Sequence, residues 1–376
     1  MKRAFALSLA LAAAALASAV SPAKAGTELK GAHYLAPTHP LGVGYEVFKE
    51  LVERESKGDI NVRIFAGESL LPAKAISDGV RDGVADFGTV TMSYSPSYYN
   101  YGLMLGDLAM FGPNDTVAAV AQTELFTMHC KGCQMDARKQ NQLIFVGFST
   151  PQYVLVGKGA MNTLETIKGK KLRAGGPLWA RFAAHVGAVA VNIPSSEIYE
   201  GLSRGILDAA MYARGGLKTH GLADVSDTVS EVPLGSFRAQ NYFSFNIESW
   251  KSLTADQRKI VLHGIAAGAI ANRIAYDKGE QDGVNLGKEK GIKFLQPDAA
   301  MAKSIEEFVE KDAIETVKNW EAKGLKDAGE VIAKYKELYK KYEPLVTPIQ
   351  NDQDKLTALI MEQIFSKLDL NTYGLK

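Results

Sequence analysis

Two segments of this chain, 122 residues apart, carry one pattern. Ile76-Ser-Asp-Gly-Val-Arg-Asp-Gly-Val-Ala-Asp86 and Ile198-Tyr-Glu-Gly-Leu-Ser-Arg-Gly-Ile-Leu-Asp208 share, in register, an aliphatic start, an acid, Gly, an aliphatic, a second Gly, an aliphatic and a closing Asp. Each reads as a helix end, a Gly suited to the left-handed cap, and the entry into a buried strand. Two halves built alike are therefore expected, with chance recurrence of a common helix-to-strand junction as the alternative.

The residues around the first copy extend the pattern. A strand is expected over 29–35, then a helix over 40–57 with Val43, Val47, Phe48, Leu51 and Val52 on one face and Gly58 as its stop. A strand over 60–65, a helix from Pro72 to Gly83 and a strand over 86–90 follow. Alternating strands and helices define an α/β chain with a mainly parallel sheet. Past Asn241 a strand is expected over 242–247, and Thr254 is placed to cap a long helix over 255–288. Amphipathic helices over 299–322, 328–342 and 350–368 complete the chain, with polar faces of Lys and Glu that read as solvated surface.

The first residues read as a targeting signal. Lys2 and Arg3 precede an almost wholly apolar run over 4–20, and Ala23-Lys24-Ala25 is the small-x-small pattern of a signal-peptidase site before Gly26. An uncleaved membrane anchor is the alternative, but the run is short and rich in Ala. Residues 1–25 are thus expected to be removed and the mature protein to be periplasmic. Losing Lys2, Arg3 and Lys24 takes the net charge from +1 to −2, which gives no reason to expect a nucleic-acid partner. Export also gives meaning to the two cysteines, Cys130 and Cys133, because a C-x-x-C pair in an oxidising compartment can close a local disulfide. Free or redox-active thiols and a metal site are the other readings.

Enzyme signatures are missing. The chain has no G-x-S-x-G elbow, no phosphate-binding G-x-x-x-x-G-K-[ST] loop, no H-E-x-x-H and no EF-hand loop. Gly42 and Gly44 lack the third glycine of a dinucleotide site, and His33 with His39 would need further ligands to hold a metal. We expect neither cofactor nor metal.

One local feature does suggest binding. Lys170 to Arg173 reads as a short strand that runs into Gly175-Gly176-Pro177, and glycine-rich turns at strand ends are where open α/β sheets bind ligands. A guanidinium there offers a bidentate partner to a carboxylate or a sulfonate, and an exposed surface cation is the plainer reading. Trp179 and Arg181 follow the turn, and Tyr94, Tyr98, Tyr99 and Tyr101 crowd the loop after the strand over 86–90. These aromatics are candidates to fence a ligand or to fill the core. Glu68 is a candidate for the mouth of a cleft, or a solvated turn acid.

From about residue 27 to 365 the chain resembles the solute-binding proteins of tripartite ATP-independent periplasmic (TRAP) transporters. The likeness rests on His39-Pro40, Gly79 to Asp86, Ile167-Lys-Gly-Lys-Lys-Leu-Arg173, Ile193-Pro-Ser-Ser-Glu197-Ile-Tyr199, Gly205-Ile-Leu-Asp208 and Phe245-Asn246-Ile-Glu-Ser-Trp250 in this order and spacing. It implies a two-lobed periplasmic-binding-protein-like α/β fold, each lobe a mainly parallel sheet flanked by helices, with a long helix spanning both. Lobe I would take 26–150 plus about 230–255, and lobe II 151–229 plus about 256–376. The family's ligand-gripping arginine falls on Arg173, and a ligand-facing position falls on Tyr212, with Arg214 just beyond. The second arginine of sialic-acid binders is replaced by Tyr153, beside Gln152, which argues against sialic acid.

The function this implies is capture of a small organic anion by lobe closure and its delivery to a TRAP membrane permease, by a protein that is a monomer and not an enzyme. An exported enzyme acting on a small organic acid, or a ligand sensor for a membrane receptor, is the alternative.

Overall fold

The computed structural model describes residues 26–375, so the expected export signal over 1–25 lies outside the described residues. The strands, numbered in chain order, are β1 (Thr27–Ala32), β2 (Ile60–Phe65), β3 (Phe87–Thr91), β4 (Gln142–Leu143), β5 (Tyr153–Gly157), β6 (Lys171–Arg173), β7 (Val189–Val191), β8 (Ala209–Ala213), β9 (Thr228–Ser230), β10 (Gln240–Asn246) and β11 (Lys293–Leu295). They form two sheets flanked by helices. The first runs β2-β1-β3-β10-β4 and the second, from its far edge, β7-β6-β8-β5-β9-β11. The two follow one path, with β11 added to the second.

In each sheet the second strand of that order pairs in parallel with both its neighbours, β1 with β2 and β3, and β6 with β7 and β8. Both sheets are nevertheless mixed. β5, which carries the chain into the second sheet, and β10, which brings it back, each run antiparallel to both neighbours. A crossing strand enters its sheet from the opposite end to the strands reached through helices, so the expectation of mainly parallel sheets holds only away from the crossings.

The recurring sequence pattern has the same structure twice. Helices Ile76–Arg81 and Ile198–Ser203 end before Gly83 and Gly205, whose φ angles of 76° and 71° are the left-handed cap that glycine adopts without strain. The closing acids then serve the neighbouring strand. Asp86 Oδ2 accepts from the amide of Lys30, and Asp208 Oδ2 from that of Lys171, each at 2.7 Å.

Helix Pro40–Glu55 starts at His39, whose Nδ1 accepts from the amide of Leu41 at 3.1 Å. Phe48, Leu51 and Val52 of the expected face are buried, but Leu41, Gly44 and Tyr45 join them and Val43 is exposed. The reason is its partner, helix Ala255–Glu289, which passes against Gly44. That partner has 35 residues and is about 52 Å long. Its first half lies on helix Pro40–Glu55. Its second half meets the turn after β8, where a Cβ on Gly283 would stand 2.4 Å from the carbonyl oxygen of Arg214. One helix thus touches the surroundings of both sheets.

The C-terminal helices are shared out in the same way. Phe308 of helix Ala299–Ala322 packs on Phe182, below the second sheet, while helix Ala328–Val346 lies on helix Asp115–Glu124, beside the first. The last residues seal the first sheet's core, where Trp250 Nε1 donates to the Tyr373 carbonyl (2.9 Å) and Arg258 Nη1 to that of Leu370 (3.0 Å). Cys130 and Cys133 are disulfide-bonded at the start of helix Lys131–Lys139. Among the described residues no helix is long and apolar enough to cross a membrane.

Candidate ligand-binding site

Arg173 is the last residue of β6 and is 2% exposed. Its position follows from the turn after it. A Cβ on Gly175 would stand 2.9 Å from Arg173 Nη1, so the glycine makes room for the guanidinium. Arg173 Nε donates to the Ile193 carbonyl at 3.1 Å and Nη2 to the Tyr94 hydroxyl at 3.3 Å. Tyr94, from the turn after β3, in turn accepts from the Ser195 amide at 2.8 Å. The ends of both sheets therefore meet at this arginine. Nη1 is buried and has no hydrogen-bond partner among the described residues.

A cavity of about 20 Å³ lies beside it. Its wall includes Tyr34, Tyr94, Tyr153, Tyr212 and Tyr276, with Thr91, Ser195 and Gln240 as further polar groups. Tyr153 and Tyr212 lie with ring centroids 5.4 Å apart, and the guanidinium carbon sits 5.9 Å from the Tyr212 ring. Burial pushes the hydroxyls of Tyr34, Tyr153, Tyr212 and Tyr276 up, so they stay protonated. Arg173 is the one charged residue of the lining. A desolvated cation among neutral aromatic walls is an anion receptor.

Three histidines sit near this cleft without charge. Burial lowers His33 to about 4; burial and then the Arg173 charge lower His220 to about 3. His39 falls well below its ordinary value through burial and then the proximity of His220 and His33. Unfolded, each would take up a proton near pH 6.5. Stability is thus fully present above pH 6.5 and declines as pH falls toward these folded values, by about 1.4 kcal/mol per pH unit for each histidine. Urea midpoints at pH 7.5 and pH 5 should differ accordingly. The loss should be smaller by roughly 2 kcal/mol in His220→Gln; an equal loss in both proteins would refute the assignment.

Arg173, Tyr94, Tyr153 and Tyr212 thus come together. Glu68 is exposed and does not line the cavity; its Oε1 accepts from Ser196 Oγ at 3.0 Å and bridges the loops of the two sheets. Trp179 lies behind Tyr153 in the core, ring centroids 5.2 Å apart, with Nε1 donating to the Leu234 carbonyl. Gln152 is exposed and faces a separate surface hollow, because neighbouring strand positions point to opposite sides. Arg214 is swung away by the turn after β8 and is ion-paired to Glu231 and Glu280. Arg181 pairs with Asp107 and Asp312. Tyr99 bonds Ser77 and Gln142, Tyr101 bonds Asp327, and neither these nor Tyr98 line the cavity. Among the described residues no group of three or more His, Cys, Asp or Glu side chains is arranged to hold a metal ion.

Sequence reasoning missed Tyr34, Ser195, Gln240 and Tyr276. Two left a trace: Ser195 lies inside the Ile193 to Tyr199 motif, and Gln240 is an amide two residues before an expected buried strand.

Two like sheets that close on one buried cation define a solute-binding protein. Residues 31–319 match the bacterial extracellular solute-binding protein family 7, and the chain belongs to that family. It is a TRAP solute-binding protein, a transport component and not an enzyme. A curated C4-dicarboxylate-binding periplasmic protein of Shewanella loihica is 26% identical over 298 residues, 77% of this chain and 86% of that one. A solute-binding protein of Albidiferax ferrireducens is 23% identical over 75% of this chain and 81% of its own length. Among solved structures, a TRAP solute-binding protein from Rhodoferax ferrireducens with copurified benzoate has a TM-score of 0.75 at 19% identity, covering 85% of this chain and 100% of that one. One from Bordetella bronchiseptica with bound mandelate has a TM-score of 0.73 at 19% identity, covering 84% and 100%.

Proposed function

We propose that the protein captures a small organic anion at Arg173, a carboxylate or failing that a sulfonate, and delivers it to a TRAP membrane permease. It acts as a monomer in the periplasm after losing residues 1–25. The observation that carries this reading is a fully buried arginine whose Nη1 has no partner among the described residues, in a cavity whose described lining has no other charged residue. Burying such a group without an anion is costly, and a bound carboxylate offsets the cost. Relatives named for dicarboxylate binding, or solved with benzoate or mandelate, support the class of ligand.

Lobe I, 26–150 plus about 230–255, and lobe II, 151–229 plus about 256–376, would move as units about β5 and β10. The Glu68–Ser196 and Tyr94–Arg173 contacts would form on closure. A thermal-shift screen against carboxylates and sulfonates tests the proposal. A ligand at 100 times its Kd should stabilise the fold by about 2.7 kcal/mol. No shift with any of these anions would overturn it.

A further inference from the structure

Among the described residues that line the cavity, two buried polar atoms have no partner: Arg173 Nη1 and Gln240 Nε2. Gln240, 2% exposed, is the first residue of β10 and is paired with Thr91 at the end of β3. Its Oε1 accepts from Thr91 Oγ1 at 3.2 Å. That bond uses the single hydroxyl proton of Thr91, so Tyr34, whose hydroxyl is 2.9 Å from Thr91 Oγ1, donates to it. Burial keeps the Tyr34 proton in place. The relay Tyr34 to Thr91 to Gln240 turns the amide carbonyl toward Thr91 and leaves the NH₂ as a free donor on the cavity wall.

We propose that Gln240 is a specificity-determining residue, donating to a second oxygen of the ligand, so that the protein selects acids with a hydroxyl or keto oxygen beside the carboxylate. This rests on the reading that Arg173 holds the carboxylate. Arg173 Nε is occupied by the Ile193 carbonyl, which leaves the Nη edge for the carboxylate. With both carboxylate oxygens on that edge, Gln240 is left for a third oxygen. Arg173 and Gln240 line the same cavity, and an oxygen on the α-carbon is the one next to the carboxylate. An acid without it would leave the amide buried and unpaired, as a site built for a hydrogen bond does with any ligand that cannot make one.

The test compares matched acids by calorimetry on the full mature chain: mandelate against phenylacetate, and lactate and pyruvate against propionate. The wild type should bind the oxygenated member about 10- to 100-fold more tightly in whichever pair it binds. Gln240→Met, which keeps the length and removes the donor, should bring the ratio to within about 3-fold. Thr91→Val, which removes the relay, should lower it as well. A ratio near one in the wild type overturns the inference by itself, even if the variants do not fold, and so does a ratio that survives in Gln240→Met. In either case binding of the acids, and its loss in Arg173→Ala, would leave the carboxylate reading intact. Failure of all five acids to bind would overturn the inference, and the carboxylate reading would then stand or fall on the thermal-shift screen.

Discussion

Arg173→Ala weakens binding of the best organic acid by about 2 to 5 kcal/mol, roughly 30-fold to several thousandfold in Kd. The cation is desolvated on all sides, so the variant loses a charge-assisted pair and has nothing in the cleft to replace it. Arg173→Lys should fall between the two, since an ammonium cannot bond Ile193 and Tyr94 and still present a fork to the ligand. Arg214→Ala is the control. Its guanidinium is neutralised by Glu231 and Glu280 away from the cavity, and affinity should stay within about twofold of the wild type. Titration calorimetry separates these outcomes. Near-native affinity in Arg173→Ala would show that the anion sits elsewhere.

A second large effect concerns stability. Gly268→Val should cost about 3 kcal/mol or more and lower Tm by several degrees. A Cβ on Gly268 would stand 2.5 Å from the Gly44 carbonyl, and one on Gly44 only 2.3 Å from that of Gly268. Backbone meets backbone here, so no side-chain rotation can relieve the clash, and the two helices would have to separate. Eleven residues along the same helix, Gly279 has nothing closer than Pro40 Cγ at 3.9 Å. Gly279→Ala should therefore stabilise the protein by about 0.5 to 1 kcal/mol through helix propensity. Equal Tm changes in the two variants would rule out the close-approach explanation.

These contrasts also mark what could be read from the chain. Helix Ala299–Ala322 and strand Ile60–Phe65 have the bounds expected from periodicity, because their signals are local. The recurring helix-to-strand junction announced the like sheets because its glycine caps act within one turn, although its closing aspartates reach the neighbouring strand, 56 and 37 residues earlier. Arg173 was legible because strand end, arginine and glycines are neighbours in sequence. The cleft around it was not. Gln240 becomes a wall residue only because β10 pairs with β3, 149 positions earlier. Arg214 looked like a second cation until the fold brought Glu231 and Glu280 to it, from 17 and 66 residues away. Tyr45, and not Val43, faces the core because the long helix lies against Gly44.

The return strand β10 sets a timetable. When a ribosome has finished β3, the inner edge of the first sheet has its hydrogen-bonding groups bare, and its partner lies about 150 residues further on. At 5 to 20 residues per second that edge waits roughly 8 to 30 seconds. The wait does not end there, because the core beneath Trp250 is completed only by the carbonyls of Leu370 and Tyr373. The first sheet's core is therefore complete only late in synthesis. A bare sheet edge of this kind recruits other strands, so until β10 is made it is a place where the nascent chain can mispair.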